Sequence, residues 1–178
     1  MAGQFNSEFF DKKKQRMSRR SLKSFLDEQL NEILVSEILI LDVLPMIESK
    51  LSNPQLLNAI GDLKKLMRSQ QKSIQKILNK VGAKLQSVRP EEFETLMAEM
   101  ISLSELSSGE IVDMHVAYSF RRLFRFQKIC YGAAGIYARS LGFTEISHDL
   151  QRLIDNKESC FETIAEIAEA LDSRTSDG

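Results

Sequence analysis

Four polar residues interrupt apolar helical stripes, and their types define the chemistry that this chain could carry. Glu37 stands in a stripe whose other seven members, spaced by three or four residues, are all apolar, which is the spacing of one helix face. Gln70, Gln127 and Lys157 interrupt three further stripes of the same kind. A buried carboxylate must be paired, protonated or bound to a metal. The pattern therefore indicates either a metal centre or a buried polar layer.

The apolar periodicity predicts the elements that would bring these residues together. We expect five helices, numbered α1 to α5 in chain order, at residues 21–50, 54–80, 90–106, 110–142 and 144–171. Four of them are long, and α3 is shorter and acidic. Each long helix carries one of the four polar residues near the centre of its stripe.

The lengths of the connections predict how the helices are arranged. Short turns join α1 to α2 and α4 to α5, whereas a long connection containing α3 joins α2 to α4. Two hairpins and one long crossover are the connectivity of a ferritin-like bundle. We therefore predict an all-α, ferritin-like four-helix bundle with a long crossover that contains a short extra helix. An up-down bundle with α3 at one end and a dimeric coiled coil are the alternatives.

The ends of the chain differ in composition from its middle. Residues 1–20 contain six Lys or Arg against two acidic residues, and we expect a flexible basic tail there. The alternative is a short arm that docks on a partner, an anionic surface or nucleic acid. The bundle is expected to occupy residues 21–172, and residues 173–178 are expected to be disordered.

The composition excludes several broad classes. A net charge of −1 selects no partner, and two cysteines do not make a disulfide framework. The most apolar run, at residues 38–47, is broken by Asp42 and Pro45, so we expect no membrane insertion. Residues 1–20 contain no apolar run typical of a secretory signal, so a cytoplasmic protein is expected.

Two surfaces suggest partners. Eleven of the fifteen residues at 33–47 are apolar, so α1 must be buried on more than one side; we expect a homodimer through α1 and the crossover, or another protein partner. On α4, basic residues alternate with aromatic ones and could bind nucleic acid or an anionic surface together with the basic α2. A solvated face paired with the acidic helices is the commoner alternative for these residues, which are Arg121, Arg122, Arg125 and Lys128.

Short motifs on α1 and α4 resemble those of a known family. Ser36-Glu37 followed by Leu44-Pro45-Met46, then Tyr131-Gly132 followed by Ala-Arg-Ser-Leu-Gly at 138–142, is similar to the YciF-type ferritin-like stress proteins. The resemblance covers residues 21–171. It implies a ferritin-like fold and, in family members, a di-metal centre with acids on all four long helices.

The chain departs from the pattern that this resemblance implies. Glu37 retains the acid of α1, but residues 65–68 of α2 offer neither acid nor His, and the ligand region of α4 falls on residues 124–127, Phe-Arg-Phe-Gln. On α5 the acidic run falls around residues 155–158, where Lys157 lies on the predicted inward face.

These departures favour a protein without a cofactor. One carboxylate, two amides and one ammonium group cannot neutralise two divalent cations, but they can pair with one another. We therefore expect a non-catalytic structural, interaction or stress-associated protein whose metal centre is replaced by Glu37, Gln70, Gln127 and Lys157. The alternatives are a di-iron or manganese-binding ferritin-like protein and a nucleic-acid or anionic-surface binder that uses α2 and α4.

Overall fold

A computed structural model describes the backbone of residues 2–86, 88–106 and 109–176 and the side chains of residues 18–86, 88–105 and 109–173. All five expected helices are present. Their bounds are α1 (Ala2–Glu48), α2 (Pro54–Val81), α3 (Glu91–Leu106), α4 (Glu110–Ser140) and α5 (Thr144–Ser176).

The four long helices form a ring in cross-section. α1 packs on α2 and α4, and α5 packs on the same two helices, so α1 lies diagonally across the bundle from α5. α3 packs on the outside of α4 and, to a smaller extent, of α1. The predicted all-α, ferritin-like bundle with a helix-containing crossover is confirmed.

Local signals explain where α2 begins and ends. The side chain of Asn53 accepts hydrogen bonds from the backbone N–H groups of Gln55 and Leu56, and Pro54 occupies the first helical position, where no N–H partner is needed. Gly82 terminates the helix with a φ of 66°, a left-handed conformation that costs glycine little. These two signals fix where α2 begins and ends.

Two helix ends lie further out than the sequence pattern predicted. α1 begins at Ala2 rather than near residue 21, and α5 continues to Ser176 rather than ending near residue 171. The apolar pattern marks only the packed part of a helix, whereas a helix that is already nucleated extends through polar helix-forming residues at little cost. The side chains of residues 1–17 and 174–178 lie outside the described residues, and the flexibility expected for the two ends stays a prediction.

The surplus apolar surface of α1 is largely used within the chain. Leu34 is buried, and Leu39, Leu41 and Met46 pack against the core at partial exposure. The homodimer expected through α1 and the crossover stays a prediction. No helix in the described part of the chain is both long and apolar enough to cross a membrane.

The cap of α2 provides a test of this account of the fold. Replacing Asn53 with Ala removes the acceptor of two backbone N–H groups, and we expect the free energy of unfolding to fall by about 1 kcal/mol. Urea denaturation followed by circular dichroism measures the change. Asn58→Ala is the matched control, since Asn58 is exposed on the same helix and should change stability by less than about 0.5 kcal/mol. Equal effects at both positions would contradict the capping role.

Candidate functional site: a buried polar layer

The four polar residues of the apolar stripes all lie inside the bundle. Glu37, Gln127 and Lys157 have no exposed surface, and Gln70 is 2 % exposed. Glu37 on α1 faces Lys157 on α5 across one diagonal of the ring, while Gln70 on α2 and Gln127 on α4 come from the two helices of the other diagonal.

The ammonium group of Lys157 is the centre of this site. Its Nζ forms an ion pair with Glu37 Oε1 and donates a hydrogen bond to Gln127 Oε1 at 3.2 Å. It also lies over the ring of Tyr131, 5.2 Å from the ring centroid, where the negative face of the aromatic ring attracts a cation. Three groups from two other helices therefore surround one buried positive charge on α5.

One oxygen of the Glu37 carboxylate has two hydrogen-bond donors, Lys157 and Tyr131. Tyr131 donates its hydroxyl hydrogen to Glu37 Oε1 at 3.2 Å, the same oxygen that accepts from Lys157. The second oxygen, Oε2, has no hydrogen-bond partner within the described part of the chain. Lys157 and Tyr131 thus hold one oxygen and leave the other unused.

Gln127 connects the ion pair to the backbone of α1. Its Oε1 accepts from Lys157, while its Nε2 donates to Ser36 Oγ at 3.0 Å. Ser36 in turn donates its hydroxyl hydrogen to the carbonyl oxygen of Ile33 at 2.8 Å. The amide therefore has only one orientation that satisfies both neighbours, and this orientation fixes α4 against α1.

Gln70 does not reach the ion pair in the described structure. Its Nε2 donates to the backbone carbonyl of Leu153 at 2.7 Å, one helical turn before Lys157, and its Oε1 has no partner within the described residues. The sequence pattern assigned Gln70 to the same hydrogen-bonded set because it reports the face of a helix but not the height at which neighbouring helices align. Gln70 instead links α2 to α5.

Burial and the charge of Glu37 act in opposite directions on the pKa of Lys157 but in the same direction on the pKa of Tyr131. Burial lowers the pKa of Lys157, while the charge and hydrogen bond of Glu37 act to raise it. Burial, followed by the negative charge of Glu37, raises the pKa of Tyr131 well above its ordinary value. Tyr131 therefore stays a neutral hydrogen-bond donor at physiological pH.

Sequence reasoning did not assign Ser36 and Tyr131 to the layer. Both residues attracted attention only as parts of the family-like motifs. Spacing could have identified Tyr131, since it follows Gln127 by four residues on α4 and so lies on the same face. Ser36 precedes Glu37 directly and is itself buried.

Most of the basic residues of α4 have acidic neighbours. Arg122 pairs with Glu99 of α3 at 2.6 Å, and Arg121 lies 3.5 Å from Glu169 of α5. Lys128 pairs with Glu158 of α5, whereas Arg125 is exposed and has no ion pair in the described part of the chain. The face proposed for nucleic acid is thus largely neutralised within the chain.

Comparison with known proteins supports the resemblance seen in the sequence. Residues 21–176 match the model of a family described as Domain of unknown function (DUF892). The chain belongs to this family. The crystal structure of the E. coli stress protein YciF is similar, with a TM-score of 0.79 and 15 % sequence identity over 85 % of this chain and 97 % of that chain. The predicted YciF-like relationship is confirmed, whereas a comparison with curated proteins gave no match.

The two buried glutamines provide a matched test of the layer. Gln127→Leu removes an acceptor of the buried Lys157, and we expect a loss of about 1–3 kcal/mol in the free energy of unfolding. Gln70→Leu removes one hydrogen bond together with an unpartnered oxygen, so its expected effect is within about 1 kcal/mol. Denaturant titration of both variants measures the contrast. A larger loss for Gln70→Leu would show that the ion pair depends on α2 rather than α4.

The ion pair is tested by a double-mutant cycle. Glu37→Leu and Lys157→Met each leave one buried charge without its partner, which costs about 3–5 kcal/mol. The double variant replaces both groups with apolar side chains and should recover most of that loss. Harmless single variants would mean that the charges are hydrated rather than paired.

Proposed function

We propose that this protein is a non-catalytic, stress-associated helical-bundle protein in which a buried polar layer replaces the di-metal centre of its ferritin-like fold. The observation that carries the proposal is the ion pair between Lys157 and Glu37. It places a positive charge, supplied by the chain itself, at the centre of the bundle, where ferritin-like proteins build metal sites from inward-facing side chains.

The donor set does not fit a pair of divalent cations. Iron and manganese sites of this kind use several carboxylates together with imidazoles, whereas the layer offers one carboxylate, neutral amides and an ammonium group. Lys157 already occupies one oxygen of Glu37, and its positive charge repels a cation. Across the described residues, no three His, Cys, Asp or Glu side chains are grouped closely enough to share an ion.

A buried polar layer of this kind has a structural use. Replacing a buried ion pair with apolar residues is often neutral or stabilising, so such pairs contribute more to a defined alignment than to total stability. Here Lys157 must meet Glu37 and Gln127 at the same height, which selects one register of α5 against α1 and α4. We infer that the layer keeps the bundle in a single arrangement and that the protein acts through its surface.

The proposed biological setting comes from the similar protein. The E. coli protein of similar structure is a stress protein, and on that basis we assign a stress-associated role to this chain. The cytoplasmic location remains the expectation drawn from the sequence. No observation favours the nucleic-acid function, because three of the four cations proposed for it pair with acidic side chains.

Metal analysis of the purified protein tests the central proposal. After incubation with ferrous iron or manganese under anaerobic conditions and removal of free metal, we expect fewer than about 0.1 ions per chain, because the ammonium group repels cations. Elemental analysis measures the ratio. About two ions per chain would overturn the proposal and favour the di-metal alternative.

The variant Lys157→Glu tests whether any bound metal lies in the polar layer or elsewhere in the chain. Lys157→Glu removes the repelling charge and adds a second carboxylate beside Glu37. Metal bound by this variant but not by the natural chain would support the role of Lys157. Equal metal uptake by both chains would place the ions outside the layer.

A further inference from the structure

Residues 63–90 are strongly basic. They contain eight Lys or Arg residues and no Asp or Glu, and they hold one third of the 24 basic residues of the protein. Most of this segment belongs to α2, whose apolar face is buried in the bundle. The basic residues therefore lie on the faces of α2 that point away from the core.

Four basic residues of α2 have no acidic partner. Arg68, Lys72, Lys76 and Lys80 follow one another at intervals of four residues and are exposed, and none of them forms an ion pair in the described part of the chain. By contrast, three of the four cations singled out on α4 pair with acidic side chains. Like charges four residues apart on a helix repel each other, so an anion bound beside this row would relieve an unfavourable interaction.

A small cleft between α2 and α5 adjoins the C-terminal half of this row. It has a volume of about 160 Å³, and its polar lining consists of Ser73, Lys76 and Lys80 of α2 with Asp149 and Arg152 of α5. Pockets for drug-sized ligands measure about 300–1,000 Å³, so this cleft suits a single small group. Three cations and one carboxylate give the lining a net charge of +2, which favours an anion.

The donors of the cleft match the oxygens of a phosphate group. Lys76 and Lys80 supply ammonium groups, and Ser73, one turn before Lys76, supplies a hydroxyl group. Arg152 donates from its Nη2 to Asp149 Oδ1 at 2.8 Å, which leaves its other N–H groups for a ligand oxygen. Hydrogen bonds from charged donors to phosphate are short and about twice as strong as neutral ones.

We propose that the cleft between α2 and α5 binds a phosphate group, held by Lys76, Lys80 and Arg152. A phosphate monoester carries a charge of about −1.5 to −2 at pH 7, which balances the net charge of the lining better than a single carboxylate does. Arg68 and Lys72 continue the row beyond the cleft and attract further anionic groups of the same ligand. The site does not involve the buried polar layer, so its test is independent of the metal analysis.

Isothermal titration calorimetry with sodium tripolyphosphate at low ionic strength tests the site. We expect binding to the natural chain and a loss of affinity of about tenfold or more in Lys76→Gln/Lys80→Gln, because two charged donors are lost. The matched control is Lys50→Gln/Arg125→Gln, which removes the same charge from exposed positions outside α2. Its affinity should change by less than about twofold, since distant exposed charges are screened. Equal losses in both double variants would overturn the proposal.

The variant Asp149→Asn tests the location of the ligand in the opposite direction. It removes the negative charge from the lining and releases Arg152 from its ion pair. We expect tripolyphosphate to bind this variant about threefold or more tightly, because the carboxylate no longer repels the anion. Unchanged affinity would show that the anion binds away from the cleft and would contradict the proposal.

Vesicles of phosphatidylcholine with and without phosphatidic acid distinguish two sources of the phosphate group. Sedimentation only with vesicles that contain phosphatidic acid, lost in Lys76→Gln/Lys80→Gln, would assign the site to a lipid headgroup. Calorimetric binding of tripolyphosphate without sedimentation would assign it to a soluble phosphate compound. Absence of binding to both probes, or binding that the Lys76→Gln/Lys80→Gln variant retains in full, would overturn the proposal.

Discussion

The contact between Lys157 and Glu37 is the interaction on which the interior of this bundle depends. It joins α5 and α1, which lie on opposite sides of the ring, across its centre. Both charges are fully buried, so each would be costly without the other. Gln127 and Tyr131 then complete the surroundings from α4, and three of the four long helices share one network.

This network joins α1, α4 and α5 through one ion pair and several hydrogen bonds inside the bundle. A metal centre holds helices together by attracting carboxylates from several of them. In this chain a single ammonium group from α5 attracts one carboxylate and one amide, and an aromatic ring completes its shell. Because hydrogen bonds in a low-dielectric interior depend strongly on geometry, a shift of one turn would leave Lys157 without acceptors.

The charged residues on the surface of the bundle are paired separately from those of the interior network. Acidic side chains of α3 and α5 pair with three basic residues of α4, which are Arg121, Arg122 and Lys128. Arg125 of α4 is exposed and has no ion pair in the described part of the chain. The molecule thus combines a polar network inside the bundle with a surface on which three basic residues of α4 are paired with acidic side chains.

The sequence by itself determined the helices, their connectivity and the inward positions of Glu37, Gln70, Gln127 and Lys157, because helical periodicity reports which face of a helix is apolar. The family resemblance was equally readable from short motifs. Only the tertiary structure decided which inward residues meet. It separated Gln70 from the ion pair, brought Tyr131 to Glu37 and paired the cations of α4, because the relative height and rotation of neighbouring helices depend on packing along their whole length. The apolar pattern carries no information about that alignment.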